Sequence, residues 1–346
     1  MTWQEQIKGN PLAWLLDPGS PGVRYLALRD LAGEPPGSAE LAQARRAAHR
    51  SGPIAAILAE MDPSGFWVEP GPGYNPKYKS TQWCVILLAQ LGARIEDDPR
   101  IAKACAYTLD HALASGGQFG TSGAPSGTAD CMQGNLCRAL TELGSTDPRL
   151  ETAFEWMARS VTGEGIAPQE DRNAALRYYA AKCGPNFACG ANNRLPCAWG
   201  AVKVVGALAS RPADRRTPLV GRALQQGVDF LFSADPAAAA YPAGFSAKPS
   251  QSWFKFGFPV FYVTDVLQTT EVLARLGYGN DPRLARALTF VLEKQDEQGR
   301  WKLEYDYTGK TWTEFGEKHQ PSKWVTLRAL RALKDADGVM LSAERR

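Results

Sequence analysis

Three cysteines stand close together in CGPNFACGANNRLPCAWG, the segment from Cys183 to Gly200. They are Cys183, Cys189 and Cys197, and five and seven residues separate the successive pairs. These spacings differ from the C-x2-C pattern of a zinc knuckle. Cysteines in such a segment serve as metal ligands, as a redox pair or nucleophile, or as small buried side chains. The segment by itself leaves these three interpretations open.

Other residues suited to chemistry lie outside this segment. Cys131 begins an apolar stretch, next to Asp130 and after a loop rich in Gly, Ser and Thr. Asp265 stands in the apolar sequence FYVTDVL, where a carboxylate needs a partner or a raised pKa. His319 lies in the loop sequence EKHQPSKW, and histidine transfers protons near neutral pH. We therefore take Cys131, Asp265 and His319 as candidate site residues.

Three further side chains are candidates for stabilising negative charge. Arg177 and Tyr178 precede the cysteine segment, where a guanidinium could clamp an anion and a phenol could donate a hydrogen bond. Lys255 stands among aromatic residues in WFKFGF, as a candidate electrophile or partner of a ligand anion. The remaining cysteines lie in apolar stretches and are predicted to pack in the core: Cys84, Cys105 and Cys137.

The composition is that of an ordinary globular protein. The chain has 346 residues, 44% of them hydrophobic and 22% charged, and its formal net charge is only +3. That charge argues against a nucleic-acid partner. The N-terminus has no apolar signal region, and no stretch approaches the ~20 apolar residues of a membrane span. We expect a cytoplasmic protein with reduced thiols, and the oligomeric state cannot be read from the sequence.

A repeated pattern organises the chain. A Leu-Gly pair is followed by Asp-Pro-Arg in three places. The copies are Leu91-Gly92 with Asp98-Pro99-Arg100, Leu143-Gly144 with Asp147-Pro148-Arg149, and Leu276-Gly277 with Asp281-Pro282-Arg283. The glycine predicts the end of one helix, because it adopts a left-handed conformation without penalty. Asp-Pro predicts the capped start of the next helix.

Each predicted helix leads to a loop with a glycine and usually an aromatic residue. The intact copy is Gln295 to Trp301, of the form Q-x3-G-x-W. Degenerate copies are Met61/Gly65/Trp67, Leu113/Gly117/Phe119 and Val161/Gly165/Ala167. The repeat length is roughly 50 residues. Inner, buried helices are predicted at 200–209, 261–275 and 324–333, and an outer helix at 219–232. The sequence thus predicts an all-α protein of five or six helix pairs.

The Q-x3-G-x-W loop resembles the repeat signature of squalene and terpene cyclases. The helix-pair pattern is also similar to that of protein prenyltransferase β-subunits and lanthionine synthetase cyclases. This resemblance covers residues 60–335 and implies an α/α toroid, with a barrel of inner helices surrounded by outer helices. It implies one domain over residues 1–346, in which residues 1–60 form an N-terminal helical extension.

The catalytic motifs of the related families narrow the activities that the resemblance allows. The sequence contains no D-x-D-D motif and no D-D-x-x-D motif, which disfavours terpene cyclisation. Prenyltransferases and lanthionine cyclases instead carry a zinc ion at one end of the toroid, held by Cys with His or Asp. Counted back from the end of each inner helix, Cys131, Cys197 and Asp265 fall at helix starts. The resemblance therefore implies that they gather at one mouth of the barrel.

We expect a zinc-dependent hydrolase that cleaves an ester-like bond, carboxylic or phosphoric, in an apolar small molecule held in the toroid cavity. The expected zinc ligands are Cys131, Cys183, Cys189 and Cys197. Asp265 is the expected general base, and the other candidates at the mouth are Tyr178, Arg177, Lys255 and His319. Two alternatives remain open. One is thiol transfer of the prenyltransferase or lanthionine-cyclase kind, and the other is a terpenoid- or lipid-binding module with a structural zinc.

Overall fold

The computed structural model describes residues 2–168, 170–174, 176–178 and 182–343, and side chains in the last helix are described as far as residue 337. Helices dominate this part of the chain, and its β structure is limited to isolated bridges. The α-helices are α1 Pro11–Leu15, α2 Pro21–Ala27, α3 Ala39–Arg50, α4 Pro53–Ala59, α5 Thr81–Gln90, α6 Pro99–Ala112, α7 Asp130–Leu143, α8 Arg149–Thr162, α9 Ala198–Ser210, α10 Pro218–Leu231, α11 Val266–Leu273, α12 Ala285–Glu293 and α13 Lys323–Ala343.

Six of these helices form a closed inner ring. In order around the barrel they are α2, α5, α7, α9, α11 and α13. Along this order α5 packs on α7, α7 on α9, α9 on α11 and α11 on α13. Next to α2 it is the turn after α5 that approaches closely, because a Cβ added at Gly92 would lie 2.6 Å from Leu26. The ring closes where α13 packs on α2. The predicted α/α toroid is confirmed, and α2, within residues 1–60, belongs to its inner ring.

Outer helices cover the ring one pair at a time. α3 packs on α2, α6 on α5, α8 on α7, α10 on α9 and α12 on α11. The outer helices bury one face, whereas the inner helices α5 and α9 are buried on nearly every side. This matches the continuous apolar sequences of the inner helices and the one-sided stripes of the outer ones.

The repeated Asp-Pro-Arg sequences make the same contact three times. In each copy the aspartate accepts hydrogen bonds from the backbone and the guanidinium of the arginine two residues later. The helix starts nevertheless differ by a few residues. α6 begins at the proline, α8 at the arginine, and α12 two residues beyond its arginine.

The two tryptophans of the glycine-aromatic loops occupy equivalent environments. The indole N–H of Trp67 donates to the carbonyl of Ile57, and that of Trp301 to the carbonyl of Val291, both at 2.7 Å. Their backbone amides donate to Thr81 and to Thr326, which lie at the starts of the following inner helices. Each loop therefore joins an outer helix to the next inner one.

The inner helix predicted at 261–275 is shorter than expected. The sequence predicted a helix from residue 261, but the α-helix begins at Val266 and continues as a π-helical turn over Ala274–Tyr278. Asp265 caps its first turn by accepting the backbone N–H of Gln268 at 2.6 Å. Residues 261–264 therefore lie in the loop that leads into α11.

Polar side chains extend through the space between the inner helices. Lys203 of α9 donates to Gln268 of α11, and Arg328 of α13 pairs with Glu271 of α11 at 2.7 Å. Arg138 of α7 interacts electrostatically with both Glu271 and Arg328 from across the ring. This network lies where an apolar cavity was expected, so an apolar ligand would have to bind nearer the mouth.

Candidate functional site

The cysteine cluster is built where α7 and α9 begin. The two helices approach closely because glycines replace side chains between them. A Cβ on Gly134 would lie 2.5 Å from the carbonyl carbon of Lys203, and one on Gly200 would lie 2.9 Å from the Cβ of Asp130. The starts of α7 and α9, with Asp130, Cys131 and Cys197, are therefore held side by side.

A short hairpin brings two thiols into contact. Its register is defined by two backbone hydrogen bonds. The N–H of Cys189 donates to the carbonyl of Leu195 at 3.2 Å, and the N–H of Cys197 donates to the carbonyl of Phe187 at 2.9 Å. The Cys197 thiol donates a hydrogen bond to the sulfur of Cys189, and the backbone amides of Ala191 and Asn192 point at the same sulfur. These contacts lower the pKa of Cys189 from 9.0 to about 6. Cys189 is therefore the thiol most easily ionised in this cluster.

Cys131 and Cys183 complete the cluster. Each interacts electrostatically with Cys189 and with Asp130. Burial raises the pKa of both thiols, so without a cation they stay protonated. Cys183 also packs with Trp156, and the Ser160 hydroxyl lies against its sulfur. The four cysteines expected to bind a metal thus lie in one region, and Cys131 and Cys197 lie at neighbouring helix starts, as the repeat register implied.

Asp130 is the unexpected member of this region. Its side chain is buried, and both carboxylate oxygens lack a hydrogen-bond partner among the described residues. Burial, reinforced by the neighbouring Cys189 sulfur, raises its pKa well above the ordinary value. Such a group is either protonated or neutralised by a bound cation. Its position just before Cys131 was visible in the sequence, but nothing there distinguished it from a helix cap.

The donor set suits zinc, although the side chains are not preformed around one point. Thiolates and a carboxylate are ligands that zinc accepts. Within the described ranges, no three His, Cys, Asp or Glu side chains are already arranged so that they could hold a metal ion. A metal ion would therefore have to draw the cysteines and Asp130 together.

Asp265 has the opposite environment. Its carboxylate receives two hydrogen bonds of 3.0 Å from Arg328, in a bidentate pair. The backbone N–H groups of Gly257 and Gln268 donate to the same carboxylate. All these contacts anchor the group as a helix cap. The general-base role expected for Asp265 gains no support from this geometry and stays a prediction.

The other candidates are scattered around the barrel end. Tyr178 packs beside Cys183, but its phenol donates to the carbonyl of Ser160 at 3.0 Å. Arg177 forms a β-bridge with Ala167 and is half-buried. His319 is exposed, and its backbone N–H binds the carbonyl of Leu303 in a different loop. Tyr178 is thus placed against the cysteine cluster, whereas His319 lies in another loop.

Lys203 is the functional candidate that the sequence analysis missed. It is 2% exposed, and its ammonium group interacts electrostatically with Asp265 and Cys131, which favour its charge, and with Arg328 and Arg138, which oppose it. Burial lowers its pKa from 10.5 to about 7, an effect that Asp265 partly opposes. The signal was present as a single lysine in the apolar run AVKVVGALA. A perturbed, buried lysine of this kind is typical of functional sites.

Aromatic side chains around the starts of α5 and α11 pack together and form an aromatic wall. Tyr78 packs on Phe261 and Tyr307, with ring centroids 5.2 and 4.5 Å away. Its hydroxyl donates to the hydroxyl of Tyr262 at 3.0 Å. Lys255 and Asp265 line a pocket next to this wall, together with Tyr305 and Tyr307.

Comparisons with known proteins found similar solved structures but no matching family. No protein-family model and no curated protein matches this sequence. Among solved structures, a protein from Actinoplanes is 13% identical, over 84% of this chain and 99% of that one, with a TM-score of 0.33. The type II terpene cyclase MstE from Scytonema, without ligand, is 13% identical, over 86% and 99%, with a TM-score of 0.34.

A variant of MstE in complex with geranylgeranyl dihydroxybenzoate gives a similar result. It is 14% identical, over 86% of this chain and 97% of that one, with a TM-score of 0.34. Scores of this size assign neither a family nor a ligand to the chain. The described helices include none that is long and apolar enough to cross a membrane.

Proposed function

We propose that the protein is a zinc-dependent hydrolase whose metal site is the cysteine cluster together with Asp130. The observation that carries the proposal is the buried Asp130 carboxylate, which has no partner among the described residues and interacts with Cys131 and with Cys183 and Cys189 of the cysteine segment. A cation is the simplest group that satisfies both oxygens of Asp130 and the thiolates at once.

The residues that would hold zinc are Asp130, Cys131, Cys183, Cys189 and Cys197, of which three or four suffice for a tetrahedral ion. When bound, zinc would supply a nucleophile from water at neutral pH. Cys189 is the natural first ligand, because the Cys197 hydrogen bond already favours its thiolate. With several thiolate ligands the metal is a weaker Lewis acid, which suits an activated ester-like bond, carboxylic or phosphoric.

Lys203 is the described side chain best placed to move a proton near the cluster. With its pKa at about 7, its amine is available as a base near neutral pH. It reaches towards Cys131 from the lumen side, and Gln268 and the carbonyl of Val263 hold it there. We therefore assign the general-base role to Lys203 in preference to Asp265, whose carboxylate Arg328 occupies.

Metal content and ligand variants test this proposal. We expect purified protein to hold about one zinc per chain, and cobalt substitution to give the absorption of thiolate–cobalt charge transfer. Asp130→Asn should weaken metal binding by roughly ten- to a hundredfold and Cys189→Ser by more. Cys105→Ser, in the outer helix α6, is the matched control and should leave metal binding unchanged. Wild-type protein that lacks a stoichiometric amount of zinc would overturn the proposal.

Activity separates a catalytic from a structural zinc. We expect the zinc-loaded protein to hydrolyse p-nitrophenyl esters of a carboxylic or a phosphoric acid, and Lys203→Met to lose turnover while keeping its zinc. Retained turnover in Lys203→Met would remove the general-base assignment. If the protein holds zinc but cleaves neither class of ester, the metal is structural.

A terpenoid- or lipid-binding module is the second candidate, and the aromatic wall favours it. Tyr78 and Tyr262 are partly exposed and pack on the buried rings of Phe261 and Tyr307, so an apolar chain or ring could pack against them. Titration with farnesol, followed by the fluorescence of Trp83 and its neighbours, tests this candidate. A saturable change in wild type that Tyr78→Ala weakens would support binding, and an unchanged spectrum would remove this candidate.

A further inference from the structure

The loop that carries Cys189 and Cys197 has an unusual backbone. Four of its residues other than glycine have a positive φ: Asn186, Phe187, Asn193 and Arg194, at 54°, 61°, 54° and 62°. Asparagine adopts this left-handed conformation readily, whereas phenylalanine and arginine do so at a cost. Strained residues of this kind are typical of functional sites and of segments that switch between two states. The backbone thus indicates a role for the loop beyond joining α8 to α9.

Contacts at both ends hold the loop in this conformation. Phe187 is fully buried, and its ring stacks on Phe230 of α10 with the ring centroids 5.5 Å apart. At the other end, the side-chain amide of Asn192 donates to the carbonyl of Pro242 at 2.9 Å. The side-chain oxygen of Asn192 accepts the backbone N–H of Gly244, also at 2.9 Å. The protein therefore sets the positions of the two cysteines itself, without a metal.

The hairpin places the two sulfurs on the same face. Ala188 and Pro196 form an antiparallel β-bridge, so the residues that follow them, Cys189 and Cys197, both point to the opposite face of the hairpin. Across this face the Cys197 thiol donates its hydrogen bond to the Cys189 sulfur. A disulfide requires two side chains that point towards each other from neighbouring positions. Cys189 and Cys197 meet that requirement.

The pair lies just beneath the protein surface. Cys197 is half-buried, and Cys189, at 8% exposure, lies under a turn in which Ala191 and Asn193 are exposed. The backbone N–H groups of Ala191 and Asn192 point at the Cys189 sulfur, where they stabilise negative charge. A small oxidant therefore has a short way to Cys189, and Cys197 is in contact with the sulfur that would be oxidised.

We propose that Cys189 and Cys197 form a redox-active pair, which hydrogen peroxide oxidises to a disulfide. The Cys189 sulfur attacks one peroxide oxygen and the O–O bond breaks. Cys189 becomes a sulfenic acid, and the other oxygen leaves as water with the thiol proton. The Cys197 sulfur then attacks the sulfenic sulfur, the S–O bond breaks, and the hydroxyl leaves as a second water with the proton of Cys197. The two sulfurs lose two electrons, which reduce the peroxide to water.

The disulfide does not depend on the proposed zinc site, because both sulfurs are in place without a metal. Its effect on that site does rest on the proposed function. A disulfide withdraws two thiolates, among them Cys189, the natural first ligand. The oxidised protein should therefore bind zinc more weakly than the reduced protein, by roughly tenfold or more. The hairpin would in this way make metal binding sensitive to oxidation.

Thiol mapping in the whole chain tests the pair. A chelator removes any metal, hydrogen peroxide is added, and the remaining thiols are blocked before digestion with trypsin. Trypsin cleaves after Arg194, between the two cysteines, so their disulfide joins two peptides. We expect a loss of two titratable thiols per chain and a link that tandem mass spectrometry locates at Cys189 and Cys197. Dithiothreitol should restore both thiols.

Two variants sharpen this test. Cys105→Ser, in the outer helix α6, is the matched control and should form the same link as wild type. Cys197→Ser should stop at the sulfenic acid of Cys189, which dimedone traps. Wild-type protein that keeps all its thiols, or that links a different pair of cysteines, overturns the inference without recourse to either variant.

Zinc is measured separately, by transfer to a chromophoric chelator before and after oxidation. Easier transfer from the oxidised protein supports the effect on the metal site, and unchanged transfer once the disulfide has formed overturns that effect. If the disulfide forms in a protein that holds no zinc, the redox pair stands and the proposed hydrolase falls. If zinc is bound and no disulfide forms, the hydrolase stands and the redox pair falls.

Discussion

Asp130 and Asp265 occupy similar places and have opposite environments. Each lies at the start of an inner helix, and each is almost fully buried, at 3% and 5% exposure. Asp265 receives four hydrogen bonds, two of them from Arg328. Asp130 receives none from the described residues and lies instead beside cysteines. A carboxylate with all its hydrogen bonds made stabilises the fold, whereas a carboxylate without hydrogen-bond partners is available for a ligand.

The largest difference in unfolding free energy is expected when each aspartate is replaced by asparagine. Asp265→Asn breaks a buried ion pair and leaves Arg328 poorly compensated, so we expect a loss of about 3–5 kcal/mol in unfolding free energy. Asp130→Asn removes a buried charge without a partner and should be neutral or stabilising in metal-free protein. Urea unfolding with a chelator present measures both. Equal destabilisation by the two variants would contradict the comparison.

The pH dependence of stability should reveal Asp130 next. Because its folded pKa lies above the ordinary 3.8, the folded protein holds more protons than the unfolded chain above that pH. Stability of the metal-free protein should therefore fall as pH rises from about 4, by up to about 1.4 kcal/mol per pH unit, until the folded pKa is passed. Asp130→Asn should flatten this part of the profile. A wild-type profile that already matches the variant would argue against an unpaired carboxylate.

Lys203 should contribute a dependence of the opposite sign at higher pH. Its pKa is lowered from 10.5 to about 7 in the folded protein, so between these values the unfolded chain binds the extra proton. Stability should rise with pH across this window, by no more than about 1.4 kcal/mol per pH unit, and Lys203→Met should remove the rise. Chemical unfolding at several pH values measures the difference. A rise that persists in Lys203→Met would assign it to another group.

The smallest change in stability is expected at Tyr178, which packs beside Cys183 in the region of Asp130. Its phenol donates to the carbonyl of Ser160, so Tyr178→Phe should cost about 0.5–1.5 kcal/mol of unfolding free energy. If the hydroxyl is only structural, zinc content and ester turnover stay at wild-type values. A large loss of turnover at full zinc occupancy would instead return Tyr178 to a catalytic role.

The helix pairs could be predicted from the sequence because the signals that mark them are local. Leu-Gly and Asp-Pro-Arg act within one or two helical turns, and they located the helix pairs, although α11 began later than expected. The repeat register also placed Cys131 and the Cys183–Cys197 segment at one end of the barrel. Asp265 was chosen for its apolar neighbours, but the contact that decides its role comes from Arg328, 63 residues away. A pairing over that distance leaves no local pattern.

By itself, then, the sequence determined the repeated helix pairs and placed Cys131 and Cys197 at the starts of inner helices, while the closing of these pairs into a ring was implied by the resemblance to the terpene cyclase superfamily. Only the tertiary structure decided which buried aspartate is paired, that Lys203 faces Asp265 and Cys131, and that charged groups extend through the lumen. The physical reason is one of range. Helix caps and apolar periodicity act between near neighbours, whereas burial and charge pairing depend on side chains that meet only after the ring has closed.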